Sequence, residues 1–383
     1  MATFAAAISE HPLATHAVGE VVGQILEQIG DRPDFAVLFV TGAFAGATDD
    51  LAHAVRELLH PGALVGATAA SVLAGSREVE NQAAVVLFAA NWCGRLRHGV
   101  RAVQFDAKRE GEGWRLSGTD DVAVNGATLV LLADPFSFPV DGFLEELQRR
   151  APGLTVVGGL ASAASGPGGN RLIADGHVTE SGAVGLFLPP GVPVTAVVSQ
   201  GCRPVGSPLV VTSSHGNLIE EIASQPALDR VMQTAEDATA EDRTLMARGL
   251  HIGLVADESK ESFGRGDFLI RSVLGADHET RAVAVGAEVE VGSTVQFQVR
   301  DAESADFDLR AALAEAGGRA ALVFTCNGRG THLFAEPNHD ATAVNDHVDG
   351  GATAGMFCAG EIGPVGGRAF VHGFTASVLL FDD

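Results

Sequence analysis

The chain has 383 residues, 46% of them hydrophobic, and a formal net charge of −23. That length supplies two ordinary cores, while the charge opposes contact with nucleic acid or anionic lipid and no basic stripe offsets it. No run reaches the roughly 18 apolar residues of a membrane helix, no signal peptide is legible at the start, and the four dispersed cysteines lack CxxC spacing, so a reduced, cytoplasmic protein is expected.

Residues 1–33 read as a helical lead-in. "AVLFVTGAFAG" (36–46) is an apolar strand ending in glycines. "TDDLAHAVRELLHPG" then offers Thr48 or Asp49 as a helix cap, with Leu51, Val55, Leu58 and Leu59 on one face. "ALVGATAAS" (63–71) reads as a second buried strand, completing a βαβ unit. The unit recurs in "ATLVLLADPFSF" (127–138), "DGFLEELQRRAPG" and "LTVVGGLASA". Val37 falls on Leu129, Leu64 on Val156 and Phe44 on Phe136, each 92 residues on.

Apolar strands trail both units, "AAVVLFAA" (83–90) and "GAVGLFLPP" (182–190), the second preceded by an Asp175-Gly176 hairpin. A domain break is placed near Gly201–Gly206. Beyond it, "PLVVTSSHGNLIEEI" and "TRAVAVGAEVEVGSTVQFQVR" read as antiparallel strands, the latter half-exposed from its alternation. A third, looser echo closes the chain in "LVFTCNG", "GMFCAGEIG" and "FTASVLLF". The expected fold is α/β (mixed α+β), with repeated βαβ-type units in mixed sheets covered by helices, divided into domains at 34–205 and 206–383.

Ligands collect beyond the carboxyl ends of parallel strands. In the first two units "GAFAG", "GATAAS" and "GGLASAAS" hold small apolar and hydroxyl groups, whereas "CNGRG" and "CAGEIGPVGGR" hold thiols, an amide, guanidinia and a carboxylate. The candidate ligand-binding residues are therefore Cys326, Asn327, Arg329, Glu361, Arg368 and His372, with Arg203 of "GCRPVG" at the domain junction. A Glu/Arg set suits a zwitterion; the same residues also suit a buried ion pair between Glu361 and Arg329 or Arg368. No metal site and no resident cofactor are expected. "HLFAEPNHDATAVNDH" gathers possible metal ligands in an unrecognised spacing. GxGxxG, P-loop, HExxH and GxSxG motifs are absent, which points away from an enzyme. A hydrolase dependent on Cys326 or Cys358 is the weak exception.

The segments "VVGGLASA", "DGHVTESGAVGLFL", "QGCRPVGSPLVVTSSHGNLIEEIASQPAL", "LVFTCNGRG", "AGMFCAGEIGPVGG" and "HGFTASVLLF" together resemble the FIST family, from about Phe35 to Phe381. The resemblance implies a sensory module with N- and C-terminal parts. It further implies binding of small molecules such as amino acids and signalling through a partner, for instance a kinase, since no output domain is visible. Some free-standing members are similar to haem-binding nitric-oxide sensors. For this chain, b-type haem would take His372 or His251 as its axial ligand.

Overall fold

The computed structural model describes residues 1–93, 96, 99–111, 113–264, 266–349 and 351–383. They form two compact units, one of Met1–Val198, Arg310–Val371 and Thr375–Asp383, the other of Ser199–Leu309 with His372–Phe374. The chain returns to the first unit from Arg310 onward, so a single cut between residues 205 and 206 does not separate them.

The first unit consists of three copies of one motif. The first copy contains β1 (Thr3–Ser9), α1 (Ala14–Ile29), β2 (Phe35–Thr41), α2 (Thr48–Leu59), β3 (Leu64–Ala69), the hairpin β4–β5 (Ser71–Ala74, Arg77–Glu80) and β6 (Val85–Asn91). The second contains β7 (Arg101–Phe105), the small hairpin β8–β9 (Ala107–Glu110, Gly113–Leu116), β10 (Thr128–Ala133), α3 (Val140–Arg150), β11 (Thr155–Leu160), the hairpin β12–β13 (Leu172–Ala174, His177–Thr179) and β14 (Ala183–Leu188). The third opens with β15 (Val194–Gln200).

The second unit's elements come next in the chain. They are β16 (Cys202–His215), β17 (Leu218–Ile222), β18 (Gln225–Pro226), α4 (Ala227–Asp237), α5 (Ala240–Arg248), β19 (Leu250–Val255), β20 (Phe268–Ala276), β21 (Val283–Val285) and β22 (Thr294–Arg300). The third copy resumes through α6 (Ala302–Ala314), β23 (Ala320–Cys326), α7 (His339–His347), β24 (Ala352–Cys358), the hairpin β25–β26 (Glu361–Val365, Arg368–His372) and β27 (Thr375–Phe381).

In each copy two strands pair in parallel, β2 with β3, β10 with β11 and β23 with β24, and a trailing strand runs antiparallel to the first of them. The hairpins are exchanged in a cycle. The resulting sheets read β1-β6-β2-β3-β12-β13, β7-β14-β10-β11-β25-β26 and β15-β27-β23-β24-β4-β5. The third echo is thus a full copy. Segment 1–33 is not purely a helical lead-in. "TFAAAIS" buries every second residue and pairs along its length with β6, as period-two alternation dictates.

Three glycines fix the equivalence of the copies. Gly66, Gly158 and Gly355 sit opposite Leu38, Leu131 and Val323, and a Cβ would stand 2.2, 1.9 and 2.1 Å from those residues' carbonyl oxygens. This register places Val37 on Val130 rather than on Leu129. Val37 faces the central core, which it shares with Val130, while Leu129 faces outward. The match of Phe44 with Phe136 fails similarly, for Phe44 is buried and Phe136 exposed.

The central core draws Phe39 and Phe88, Leu132 and Leu186, Phe324 and Phe381 from the three sheets. Phe39 meets Phe324 edge to face at 6.1 Å. Helices α1 and α2 cover the outer face of the first sheet, and α3 covers that of the second. The expected cap on α2 is not made. The chain enters from a 3-10 turn at Gly42–Ala47, and the Thr48 hydroxyl donates back to Ala45 O at 3.0 Å. The Asp175-Gly176 turn is as expected, with φ of 47° and 86°.

The second unit is a seven-stranded sheet, β16-β22-β19-β20-β21-β17-β18, with a core of its own around Val211, Ile252, Val295 and Phe297.

Candidate functional site

The carboxyl ends of β2, β10 and β23 are equivalent places with different chemistry. At the first, the Thr41 hydroxyl donates to Ala84 O at 3.2 Å and accepts from Ala84 N at 2.8 Å. At the second, Asp134 accepts from Ser137 Oγ at 2.6 Å and from Asn170 Nδ2 at 2.9 Å. Both ends are satisfied by neutral neighbours.

The third end carries charged groups of both signs. After β23 the chain folds back on itself, with Asn327 N donating to Cys358 O at 3.0 Å and Arg329 N to Cys326 O at 2.8 Å. This turn drives the Arg329 side chain inward, where it is 0% exposed. Gly330 completes the turn at a φ of +54°, and a Cβ there would lie 2.8 Å from Glu80 Oε1, so the position needs glycine twice over.

Arg329 forks onto Asp340 in the first turn of α7, from Nε to Oδ2 at 2.7 Å and from Nη2 to Oδ1 at 2.8 Å. Asp340 also accepts from Thr325 Oγ1 at 2.5 Å and meets His339 Nδ1 at 2.9 Å. Phe334 stacks on His339 and lies 5.2 Å below the guanidinium carbon. Burial works against the Asp340 carboxylate, but Arg329 overrides it and holds the group well below the usual range.

Two further carboxyls flank this pair. Glu361 opens β25, and its Oε2 accepts from Thr375 N at 3.1 Å and Oγ1 at 2.8 Å. Burial raises its pKa to about 8 against the opposing effects of Thr375, Arg329 and the nearby Cys326 thiol. Glu78, from the first copy's hairpin, accepts from Ala341 N at 2.9 Å and is raised to about 7 by burial and by Asp340. Glu80, on the same strand, accepts from Thr331 N at 3.0 Å and Oγ1 at 2.7 Å. The borrowed hairpin therefore pins the charged turn. Cys358, the register partner of Cys326, is pushed well up by burial and by Glu361, which leaves its thiol protonated.

Among the described residues, four polar atoms here are buried without a hydrogen-bond partner: Arg329 Nη1, Glu361 Oε1, Asn327 Oδ1 and Glu78 Oε2. Cys326, Asn327 and Gly328 are half-buried.

The structure thus brings together Cys326, Asn327, Arg329 and Glu361. Arg368 is exposed at the turn end of its hairpin, over the Phe370 ring at 5.4 Å, while Glu361 lies at the other end. Arg203 and His372 belong to the second unit, where Arg203 is held by Asp242 at 2.6 Å and Asp301 at 3.0 Å. The buried ion pair forms, but with Asp340 as its acid instead of Glu361. Sequence reasoning passed over Thr325, Glu78, Glu80 and Thr375. Asp340 appeared only among possible metal ligands, although its place at a helix start after "PNH" marks it as a first-turn acid.

Comparison with known proteins follows this architecture. The FIST N domain model matches residues 34–225 and the FIST C domain model residues 227–364. The uncharacterized protein Mb0898c of Mycobacterium bovis is 40% identical over 379 residues, spanning 97% of both chains. The uncharacterized protein Rv0628c of Mycobacterium tuberculosis is 41% identical over 385 residues, spanning 98% of both. No helix among the described residues is long and apolar enough to cross a membrane. The chain belongs to the FIST family of sensory, signal-transduction proteins.

Proposed function

We propose that this chain is a non-enzymatic sensor of a small zwitterionic metabolite of the amino-acid class, signalling through a partner protein such as a kinase. One observation carries the reading. The third copy leaves a buried donor (Arg329 Nη1) and two buried acceptors (Glu361 Oε1, Asn327 Oδ1) open, whereas the equivalent ends of the other copies close theirs. A buried polar group without a partner costs about 1–3 kcal/mol, which a ligand supplying the missing bonds recovers. A carboxylate suits the guanidinium edge, and an ammonium suits the two oxygens. The half-buried turn Cys326–Gly328 is the element that must yield for entry.

Thermal unfolding with single amino acids tests this. At a hundred times its dissociation constant the right ligand adds about 2.7 kcal/mol. Asn327→Ala, which removes no protein hydrogen bond among the described residues, folds normally and loses that gain. No stabilisation by any amino acid, or an equal gain in Asn327→Ala, rejects the proposal.

The haem alternative has less support. His251 is 5% exposed with the Phe374 ring centroid 4.3 Å away, and His372 is 3% exposed.

A further inference from the structure

The second unit contains a site of different chemistry. Along β22, Val295, Phe297 and Val299 enter apolar clusters, so Gln296 and Gln298 point to the opposite face of the sheet. On that face they are joined by Pro204, the register partner of Gln298, and by Gln200 from the preceding strand. With Phe263 and Phe268 these residues line a partly open cavity of about 110 Å³.

Three carboxamides converge there. Gln200 Nε2 donates to Phe268 O at 2.6 Å and Gln296 Nε2 to Gly206 O at 2.6 Å. Those bonds fix which end of each amide is which, and leave both Oε1 atoms as oriented acceptors. Gln298 is 2% exposed, yet its carboxamide takes no protein hydrogen bond among the described residues. It lines the cavity as a donor and an acceptor together. Space for it comes from Gly253 on the neighbouring strand, where a Cβ would lie 3.1 Å from Gln298 Nε2 and 2.9 Å from Phe268 Cβ. A buried, unpaired amide held over a glycine gap is costly as packing alone.

Among the described residues, no charged side chain lines the cavity. His251, the register partner of Gln298, is held neutral because burial and Arg300 lower its pKa to about 4. An ion would lose its hydration here without a counter-charge. Size is equally restrictive: at about 110 Å³ the cavity is smaller than the closed cavity of about 150 Å³ that takes one benzene ring, so it admits no more than one ring, seated through its open side. We propose that this face of the second unit binds one uncharged, flat, single-ring molecule that presents a donor beside an acceptor, as a carboxamide or cyclic imide does. The ring would lie among Phe263, Phe268 and Pro204, with its amide edge against Gln298. This site is independent of the zwitterion site of the first unit.

Titration calorimetry of the full chain with nicotinamide, uracil, nicotinate and benzene tests it. Nicotinamide or uracil should bind at one per chain. Nicotinate, which differs from nicotinamide by its charge, should bind at least about tenfold more weakly. Gln298→Leu should weaken the amide ligand about tenfold or more and leave benzene unaffected or improved. Asn327→Ala should change nothing, which separates this site from the one proposed above. The inference is overturned if neither neutral ring binds at millimolar concentration, or if Gln298→Leu binds the amide as wild type does. Should Gln298→Leu fail to fold, the wild-type ratio decides alone: equal binding of nicotinamide and nicotinate overturns it.

Discussion

Arg329 and Asp340 are both 0% exposed and satisfy each other through two short bonds. Removing one partner strands the other charge, so Arg329→Met should cost about 3–5 kcal/mol in urea unfolding. Arg329→Met with Asp340→Leu should recover most of that loss. If the double variant is no more stable than the single, the pair is not the source of the cost.

Glu361 and Glu78 give the opposite pH response to an ordinary carboxylate. Their folded pKa values, about 8 and about 7, lie above the usual 4.5. Between pH 4.5 and 8 the folded chain therefore holds protons that the unfolded chain has released, and stability falls as pH rises through that window. Each such group contributes a slope of about 1.4 kcal/mol per pH unit within its window. Asp340 acts the other way, losing its contribution only below its ordinary range. Urea unfolding at pH 5 and pH 8 should show the decline, and Glu361→Gln should flatten it; a rise towards pH 8 contradicts the assignment. The same protonated Glu361 makes zwitterion binding release a proton, so affinity should increase with pH up to about 8.

At the scale of elements, the glycines opposite Leu38, Leu131 and Val323 leave no room for a methyl group. Gly158→Ala combines a 1.9 Å approach to a backbone oxygen with a φ of +155° and should cost about 3 kcal/mol or more. Gly275→Ala in β20 has nothing within 4 Å of its new Cβ and should be neutral or slightly stabilising. Comparable melting temperatures for the two variants would refute this reading.

These same strands show what the sequence could and could not reveal. Their existence was legible in runs such as "AVLFV" and "TLVLL". Their register was not, because both faces of β2 and β10 are buried and no inside–outside alternation distinguishes one frame from the next. That is why Val37 fell one residue short of its true counterpart. At the site, Cys326, Asn327, Arg329 and Glu361 were legible because charged groups at glycine-rich strand ends stand out from their apolar flanks. Glu78 was not. It reaches Ala341 from a hairpin 263 residues away, in another copy, and nothing local announces that partner.

On the scale of the whole molecule, three sheets share one core and none is built from a single copy. Amides at the centres of β2, β10 and β23 should therefore exchange with one common opening free energy, as members of one cooperative block. A spread wider than about 2 kcal/mol among them would show that the copies open separately. The second unit, with its own apolar cluster, is free to show a different value.

The cyclic exchange of hairpins also governs how the chain is made. On a ribosome the first sheet has all its strands once residue 179 has emerged, but the second waits for Arg368–His372 and the third for Thr375–Phe381. Until those residues emerge, β11 and β23 stand with unpaired borders, the situation in which nascent chains stick to one another. Loss of the last two dozen residues would therefore strip the borders of two sheets at once, and a short tail holds the key to the solubility of the entire product.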